Sequence, residues 1–220
     1  MKHLLVFLIT LPAFADSLHY SINWPSGLSL GEATLTASHG GEKGGGRWNL
    51  SLDIDASVPG FAVRDHYQSI ATTDLCGVQF DKNYTHGKRK TDEHLTFNQH
   101  ENTVTRETVG GGKSDISVAT CARDPLGFIQ FLRQELSQGR LPPQQQVAYG
   151  PLFDVRVEYT GAQSIKLGDQ KVDADRIVAT IKGSSSDLSV EIFFSRDAAK
   201  IPLLAKVPLA LGTFSIELQR

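Results

Sequence analysis

The two cysteines, Cys76 and Cys121, are the residues with the clearest chemistry in the sequence. The chain has no CxxC motif, and neither cysteine has a histidine beside it at the spacing of metal ligands. In an exported chain, an isolated pair of this kind most simply forms a disulfide bond, which constrains the unfolded state by roughly 4 kcal/mol. The sequence therefore predicts a Cys76–Cys121 disulfide, with a metal or redox role as the alternative.

The most charged segment runs from His86 to His94 and contains the basic run Lys88, Arg89 and Lys90. Three adjacent cations at the rim of a barrel would form a site for an anionic head group, a phosphate or an acidic glycan. The same residues also suit a solvated hairpin whose charges protect a sheet edge. Both interpretations are open, and the first makes these three residues a candidate anion-binding rim.

Motifs of known hydrolases are absent, because the sequence contains no GxSxG, SxxK or HExxH. Two carboxylate pairs have the i,i+2 spacing that places both members on one side of a strand, as a glycosidase could use; they are Asp53 with Asp55, and Asp173 with Asp175. His86, His94 and His100 are too far apart to be two metal ligands on one straight strand. We predict no catalytic residue, no metal site and no cofactor.

One arginine, Arg133, lies within the apolar run of the only segment that has a helical pattern. A buried guanidinium group needs a carboxylate partner. Glu191 and Glu217, at inner positions of predicted strands, are the expected partners in an ion pair that joins the helix to the sheet. Ligand binding by the arginines around the helix is the second interpretation.

These side chains must be positioned mainly by β-strands, because apolar and polar residues alternate with a period of two along most of the chain. Short glycine-containing turns separate the alternating segments, and connections this short join antiparallel neighbours. At Gly31 and at Gly212 this pattern changes parity, which means that the apolar residues switch between even-numbered and odd-numbered positions. A β-bulge at each glycine would bend the sheet so that it can curl.

The helical pattern covers residues 124–138. Asp124 is a suitable N-cap, Pro125 a suitable first helical residue, and Gly139 a C-terminal stop. The apolar residues of this segment cover a broad face; they are Leu126, Phe128, Ile129, Phe131, Leu132 and Leu136. We expect this helix to pack into the concave side of the curled sheet.

The predicted fold class is therefore mainly β, a curled antiparallel sheet or half-barrel with one internal α-helix at about residues 124–138. A chain of 220 residues, 40% of them hydrophobic, is long enough for one domain with a substantial core. We predict a single β-rich domain over residues 16–220. Two small β domains divided near Pro142 are the alternative, although each would bury little surface.

The N-terminus has the features of a signal peptide, with Lys2 and His3 before an apolar run and the small residues Ala13 and Ala15 at the end. We predict cleavage after Ala15 and a periplasmic or secreted protein. No stretch is long enough to span a bilayer, so no integral membrane segment is expected in the mature chain. The net charge of -2 gives no general attraction to nucleic acid.

Short segments spread over almost the whole predicted mature chain carry a family resemblance. They include residues 20–24 (YSINW), 65–67 (DHY), 80–82 (FDK), 87–90 (GKRK), 121–124 (CARD), 191–194 (EIFF) and 212–214 (GTF). With these segments the sequence resembles a bacterial family of exported proteins known as a domain of unknown function, number thirty-one zero eight. The resemblance implies an exported, largely antiparallel β protein with one internal helix. It brings no established activity, so it assigns no catalytic residue.

Together these features favour an exported, non-catalytic, β-barrel-like protein that binds an apolar or amphipathic component of the cell envelope, such as a lipid or a glycan, or assists envelope assembly. A half-closed sheet has an interior that can hold one small ligand. A cell-wall or glycan hydrolase that uses strand carboxylates is one alternative, and an envelope protein-interaction module is another. An open apolar cavity would favour the binding protein, two carboxylates close together in a cleft the hydrolase, and a filled core with an exposed edge strand the interaction module.

Overall fold

A computed structural model describes residues 15–40, 45–58, 60–184, 187–210 and 212–219. Residues 1–14 of the predicted signal peptide lie outside this part of the chain. The described elements, in chain order, are β1 Ala15–Asn23, β2 Ser29–His39, β3 Trp48–Val58, β4 Phe61–Ala71, β5 Gly77–His86, β6 Arg89–Asn98, β7 Thr103–Thr108, β8 Lys113–Ser117, α1 Pro125–Ser137, β9 Gln145–Ala148, β10 Leu152–Leu167, β11 Gln170–Lys182, β12 Asp187–Ser195, β13 Pro202–Leu209 and β14 Gly212–Leu218.

These strands form one antiparallel sheet in the order β8-β7-β6-β5-β4-β3-β2-β1-β14-β13-β12-β11-β10-β9. Pairing of β1 with β14 joins the first eight strands to the last six. The sheet is curled. Tyr149, the residue after β9, lies close to Tyr67 on β4, with 3.0 Å between their hydroxyl oxygens, although the two strands are far apart in the strand order. The predicted fold class, a curled antiparallel sheet with one helix, is confirmed, and the sheet is open because its end strands β8 and β9 do not pair. Strands from both sides of Pro142 belong to this one sheet.

The two parity changes have different causes. At Gly31 the register between β1 and β2 shifts, since Ile22 pairs with Gly31 and Asn23 with Ser29, as a bulge requires. Gly212 instead pairs with Leu209 across the turn between β13 and β14. The parity change at Gly212 therefore comes from a hairpin turn, and the bulge predicted there is wrong.

The connections between antiparallel strands alternate between the two rims of the sheet. Connections that follow odd-numbered strands lie at one rim, here called rim A, and those that follow even-numbered strands lie at the other, rim B. Cys76, before β5, and Cys121, before α1, both lie at rim B. This arrangement decides which loops lie near one another despite long separations in sequence.

The helix α1 begins and ends as its sequence predicts. The Asp124 carboxylate accepts hydrogen bonds from the backbone N–H groups of Leu126 and Gly127, at 2.9 and 3.0 Å, and Gly139 follows with φ +71°. Inside the curled sheet the helix lies closest to β3, β4 and β9. No helix in the described ranges is long and apolar enough to cross a membrane.

Candidate functional site

The side of α1 that faces β10–β13 borders an apolar cavity of about 510 Å³. Its walls come from the helix, from β9 and the residue after it, and from the inner faces of β10–β13; they are Pro125, Phe128, Ile129, Val147, Tyr149, Phe153, Val155, Ala179, Ile181, Leu188, Val190, Ile192 and Ala205. Among these residues only Tyr149 has a polar side-chain group. The volume lies within the range of about 300 to 1,000 Å³ that is typical of small-molecule sites.

The apolar wall follows from strand register. Residues that face the same side of neighbouring strands form rows across the sheet, and one such row contains Val155, Ile181 and Leu188. A second row contains Ala179 and Val190. The first row lies near rim A, and its members Ile181 and Leu188 are half-buried, so the cavity opens toward that rim.

Three anchors hold α1 close to the first half of the sheet. The Ser69 hydroxyl on β4 donates a hydrogen bond to Asp124 over 2.7 Å. Cys121, just before the helix, lies at disulfide distance from Cys76 at the β4–β5 turn. Arg133, on the helix itself, donates to Asp16 on β1 over 2.9 Å. All three contacts are with the first half of the sheet, so the helix lies closer to β3 and β4 than to β10–β13, where Phe128 and Leu132 bridge the wider gap.

The structure gives Arg133 a different partner from the predicted one. Its guanidinium pairs with Asp16 and also donates to the carbonyl oxygen of Ala199. Glu191 instead pairs with Arg176 over 2.5 Å, and Glu217 accepts a hydrogen bond from the backbone N–H of Gly168. Glu191 lies opposite Lys206 and Glu217 opposite Leu204, so both glutamates have the strand parity opposite to that of the inward-facing Ile192 and Ile216. They therefore lie on the outer face of the sheet, away from the helix.

A buried ionic cluster lies behind Tyr149, under the other half of the sheet. Lys82 on β5 lies 2.5 Å from Glu93 on β6, and both side chains are about 5% exposed or less. Arg106 on β7 also pairs with Glu93. The Lys82 ammonium group donates to the carbonyl oxygen of Tyr149 over 2.6 Å and lies 4.0 Å from the centre of its ring. Lys82 therefore holds Tyr149, which is the one cavity-wall residue with a polar side-chain group.

Burial and hydrogen bonding have opposite effects on the pKa of the Glu93 carboxyl group. Burial alone would raise the pKa of its carboxyl group, but hydrogen bonds from Arg106 and Lys82 outweigh that effect and lower the pKa. Gly150 covers the cluster at φ +105°, and a Cβ atom there would lie 3.1 Å from Glu93 and 3.2 Å from Lys82. Only glycine combines this backbone conformation with such a close approach.

A chain of hydrogen bonds links Tyr149 to solvent. Its hydroxyl group contacts that of Tyr67, which donates to Asp65 over 3.0 Å, and Asp65 pairs with His86 over 2.9 Å. Burial raises the pKa of both tyrosines, so both stay neutral over the physiological range. The one polar side-chain group of the cavity wall is thus the neutral Tyr149 hydroxyl group, which contacts the Tyr67 hydroxyl group behind it.

The candidate anion-binding residues Lys88, Arg89 and Lys90 lie in and just after the β5–β6 turn at rim A. All three are exposed, and no hydrogen bond or ion pair of their side chains joins them to another described residue. They do not line the apolar cavity, which opens at the same rim.

Three of the four strand carboxylates have ion-pair partners. The pairs of Asp53 and Asp55 are exposed, whereas the side chains of Asp175 and Lys200 are only 15% and 14% exposed. Asp53 pairs with His66, Asp55 lies 3.7 Å from Arg64, and Asp175 lies 2.8 Å from Lys200. Asp173 is exposed. Among the described residues, no three histidine, cysteine, aspartate or glutamate side chains are grouped to hold a metal ion, and His86 and His94 each pair with an aspartate.

The ionic cluster was not predicted, although strand parity contains its signal. Lys82 has the same parity as the inward-facing Phe80, and Glu93 the same as Leu95 and Phe97. A charged residue at an inward position of two neighbouring strands indicates a buried ion pair. In this hairpin the exposed basic run after β5 is the more obvious sequence feature, and the single buried charges on β5 and β6 are less obvious.

A family model described as "Protein of unknown function (DUF3108)" matches residues 19–219, and the chain belongs to this family. No curated protein matches the chain. Among solved structures, a β-barrel-like protein of the domain of unknown function DUF1849 from Brucella abortus is similar, with a TM-score of 0.63 and 7% sequence identity. The match covers 93% of this chain and 95% of that one. At this identity the similarity concerns the fold alone.

Proposed function

We propose that this DUF3108 protein is a non-catalytic carrier that binds the apolar chain of a lipid-like molecule between α1 and β9–β13. The single observation that supports this function is the cavity of about 510 Å³ with an almost wholly apolar wall. A glycan would need many polar partners, and the wall provides only the Tyr149 hydroxyl group, which already contacts Tyr67. The chemistry of the wall therefore favours a lipid over a glycan.

The energetics of such a site give a quantitative expectation. Each methylene group transferred from water to an apolar cavity gains about 0.8 kcal/mol, so the affinity should rise about fourfold per methylene until the cavity is full. The half-buried residues near rim A would then contact the part of the ligand that leaves the cavity. A polar head group would remain at this rim in solvent.

The proposal includes export of the protein to the cell envelope. The sequence before Asp16 supports cleavage after Ala15, which would leave Asp16 at the new N-terminus with its side chain paired to Arg133. A periplasmic carrier could collect an envelope lipid that is insoluble in water. The intact mass of the protein recovered from an expressing bacterium tests the cleavage site, and a mass that includes Met1 would contradict export by this route.

The binding experiment uses dansyl-labelled undecanoic acid as a fluorescent probe and saturated fatty acids of increasing length as competitors, without vesicles. We expect competition to strengthen with chain length and then level off. Ala179 lies in the cavity wall and is 3% exposed, so Ala179→Phe should fill the cavity and reduce probe binding at least tenfold. Ala162→Phe, at an exposed position of β10, makes the same change outside the cavity and should leave binding unchanged.

Two results would contradict the proposed function. One is the absence of saturable probe binding by the parent protein after any bound lipid has been extracted. The other is equal binding by the Ala179→Phe and Ala162→Phe variants. Mass spectrometry of the protein purified under native conditions adds an independent test, because a carrier should retain a lipid of defined mass.

A further inference from the structure

We infer that rim A is a docking surface for an anionic lipid bilayer. This inference goes beyond ligand binding, because it concerns where the cavity would exchange its contents. Two independent features of the rim support it: apolar side chains at the tips of its connections and a run of unpaired cations. Both lie at the rim toward which the apolar cavity opens.

The apolar tips are unusual for their exposure. Five large apolar side chains are exposed in the described part of the chain, and three of them belong to rim A: Leu28 is 63% exposed, Val109 78% and Leu209 54%. Leu28 lies in the β1–β2 connection and Leu209 at the end of β13. Because β1 pairs with β14, these two tips are neighbours, and Pro25 lies against Gly212. Leu28 and Leu209 thus form a pair of exposed apolar tips at rim A, and Val109 is a separate third tip.

An aromatic residue lies beside the two leucine tips. Trp24 begins the β1–β2 connection, is half-buried, and contacts Phe214 edge to face with 5.0 Å between ring centres. Tryptophan prefers the interface between membrane and water, where its ring can contact both apolar and polar groups. Rim A thus presents the residue types that insert shallowly into a bilayer surface.

The cations of the rim provide charge complementarity. Lys88, Arg89 and Lys90 are exposed and have no partner among the described residues, whereas Lys113 at the same rim pairs with Glu107. Near an anionic bilayer each basic residue strengthens binding about fivefold, so three together contribute roughly a hundredfold. Apolar insertion combined with a basic cluster gives stable attachment where either feature alone is weak.

The form of the rim favours a bilayer over a protein partner. Its apolar residues lie on separate connections, between polar turn residues, and do not form one continuous patch. A fluid bilayer can adapt to separate tips, while a protein would need a matching set of pockets. Ile181 and Leu188 of the cavity wall lie near the same rim, so an acyl chain could move from the bilayer into the cavity with little exposure to water.

The test is flotation of the full purified protein with vesicles of phosphatidylcholine, with and without phosphatidylglycerol. We expect binding to the anionic vesicles, release in high salt, and weak binding to phosphatidylcholine alone. The variant Lys88→Gln/Arg89→Gln/Lys90→Gln should bind roughly a hundredfold more weakly. The variant Leu28→Ser/Leu209→Ser should also lose most of its binding, because its tips no longer insert.

The control variants carry changes of the same kind outside rim A. Arg47, Lys166 and Lys171 are exposed residues at rim B, so Arg47→Gln/Lys166→Gln/Lys171→Gln removes the same charges and should bind normally. Leu141, 42% exposed, belongs to the connection between α1 and β9, and Leu141→Ser should also have no effect. All substituted residues are exposed, and matching melting temperatures would show that each variant is folded.

Several results would overturn the inference: no binding to anionic vesicles, binding that the rim A variants retain, or equal losses in the rim B control. Loss of self-association in the Leu28→Ser/Leu209→Ser variant without any vesicle binding by the parent would show that the tips serve a second copy instead. Probe binding without vesicles separates this inference from the proposed function. Rim A variants should keep it, and a protein that binds vesicles but no fatty acid would refute the carrier function alone.

Discussion

Replacing Glu93 with glutamine tests whether the buried ionic cluster supports the fold. Glu93 and Lys82 are nearly inaccessible to solvent, and Glu93 is the carboxylate that both Lys82 and Arg106 contact. In Glu93→Gln, the two cations would face each other without a neutralising anion. Breaking a buried pair in this way costs about 3 to 5 kcal/mol. For a chain of this length, the melting temperature should fall by roughly 6 to 20 °C.

The assays are thermal unfolding, which gives the melting temperature, and urea unfolding, which gives the free energy of unfolding, both followed by tryptophan fluorescence. The matched control is Glu107→Gln, because Glu107 lies 2.6 Å from Lys113 in a pair whose side chains are 51% and 64% exposed. An exposed pair contributes only about 0 to 1 kcal/mol. A loss in Glu93→Gln no larger than that in Glu107→Gln would refute the argument that burial makes this cluster important. A double-mutant cycle with Lys82→Met would then measure the coupling directly.

Three further predictions concern the backbone and the helix anchors. Gly150→Ala should lower the free energy of unfolding more than Gly161→Ala. The two glycines have nearly equal φ angles, +105° and +106°, but only Gly150 has the ionic cluster beneath it. Equal losses in chemical denaturation would contradict this reason. Burial raises the pKa of Asp124 from 3.8 to about 6. Between these two pH values the folded protein keeps a proton that the unfolded chain has released, so the free energy of unfolding should fall by roughly 3 kcal/mol as the pH rises through this range. Asp124→Asn should remove that fall, whereas parallel urea-midpoint profiles of parent and variant between pH 4 and 7 would contradict it. Cys76→Ser/Cys121→Ser should cost about 4 kcal/mol for a pair separated by 45 residues, and thermal unfolding that is unchanged from the parent would show that the cross-link contributes nothing.

The sequence predicts those parts of the molecule whose signals are local. The N-cap Asp124, Pro125 and Gly139 lie within one segment, and they define α1 without knowledge of the rest of the chain. The partner of Arg133 depends instead on how far the sheet curls, since Asp16 is 117 residues away in sequence. The two glutamates proposed as partners have the right charge, but strand register places them on the outer face.

The location and size of the cavity could not be predicted, because they depend on the position of the helix inside the sheet. A helix with its side chains is about 10 Å wide and can cover only a few strands at a time. The apolar residues of α1 therefore divide the interior, with Leu126 and Phe131 on the β3–β7 side and Phe128 and Leu132 toward β9–β12. The alternation of apolar and polar residues predicts which side chains face the interior, but not on which side of the helix the interior is fully packed.

The difference between the two sides explains why a space remains on only one. On the first side, large buried side chains such as Phe80 and Leu95 form a packed cluster, and Lys82 is buried beside it. On the second side, the inner positions opposite the helix carry small or medium residues, among them Ala179, Val190 and Ala205. The anchors at Ser69, Cys76 and Asp16 all hold the helix toward the first side. The empty volume therefore results from specific residues on both sides of the helix and not from a generally loose core.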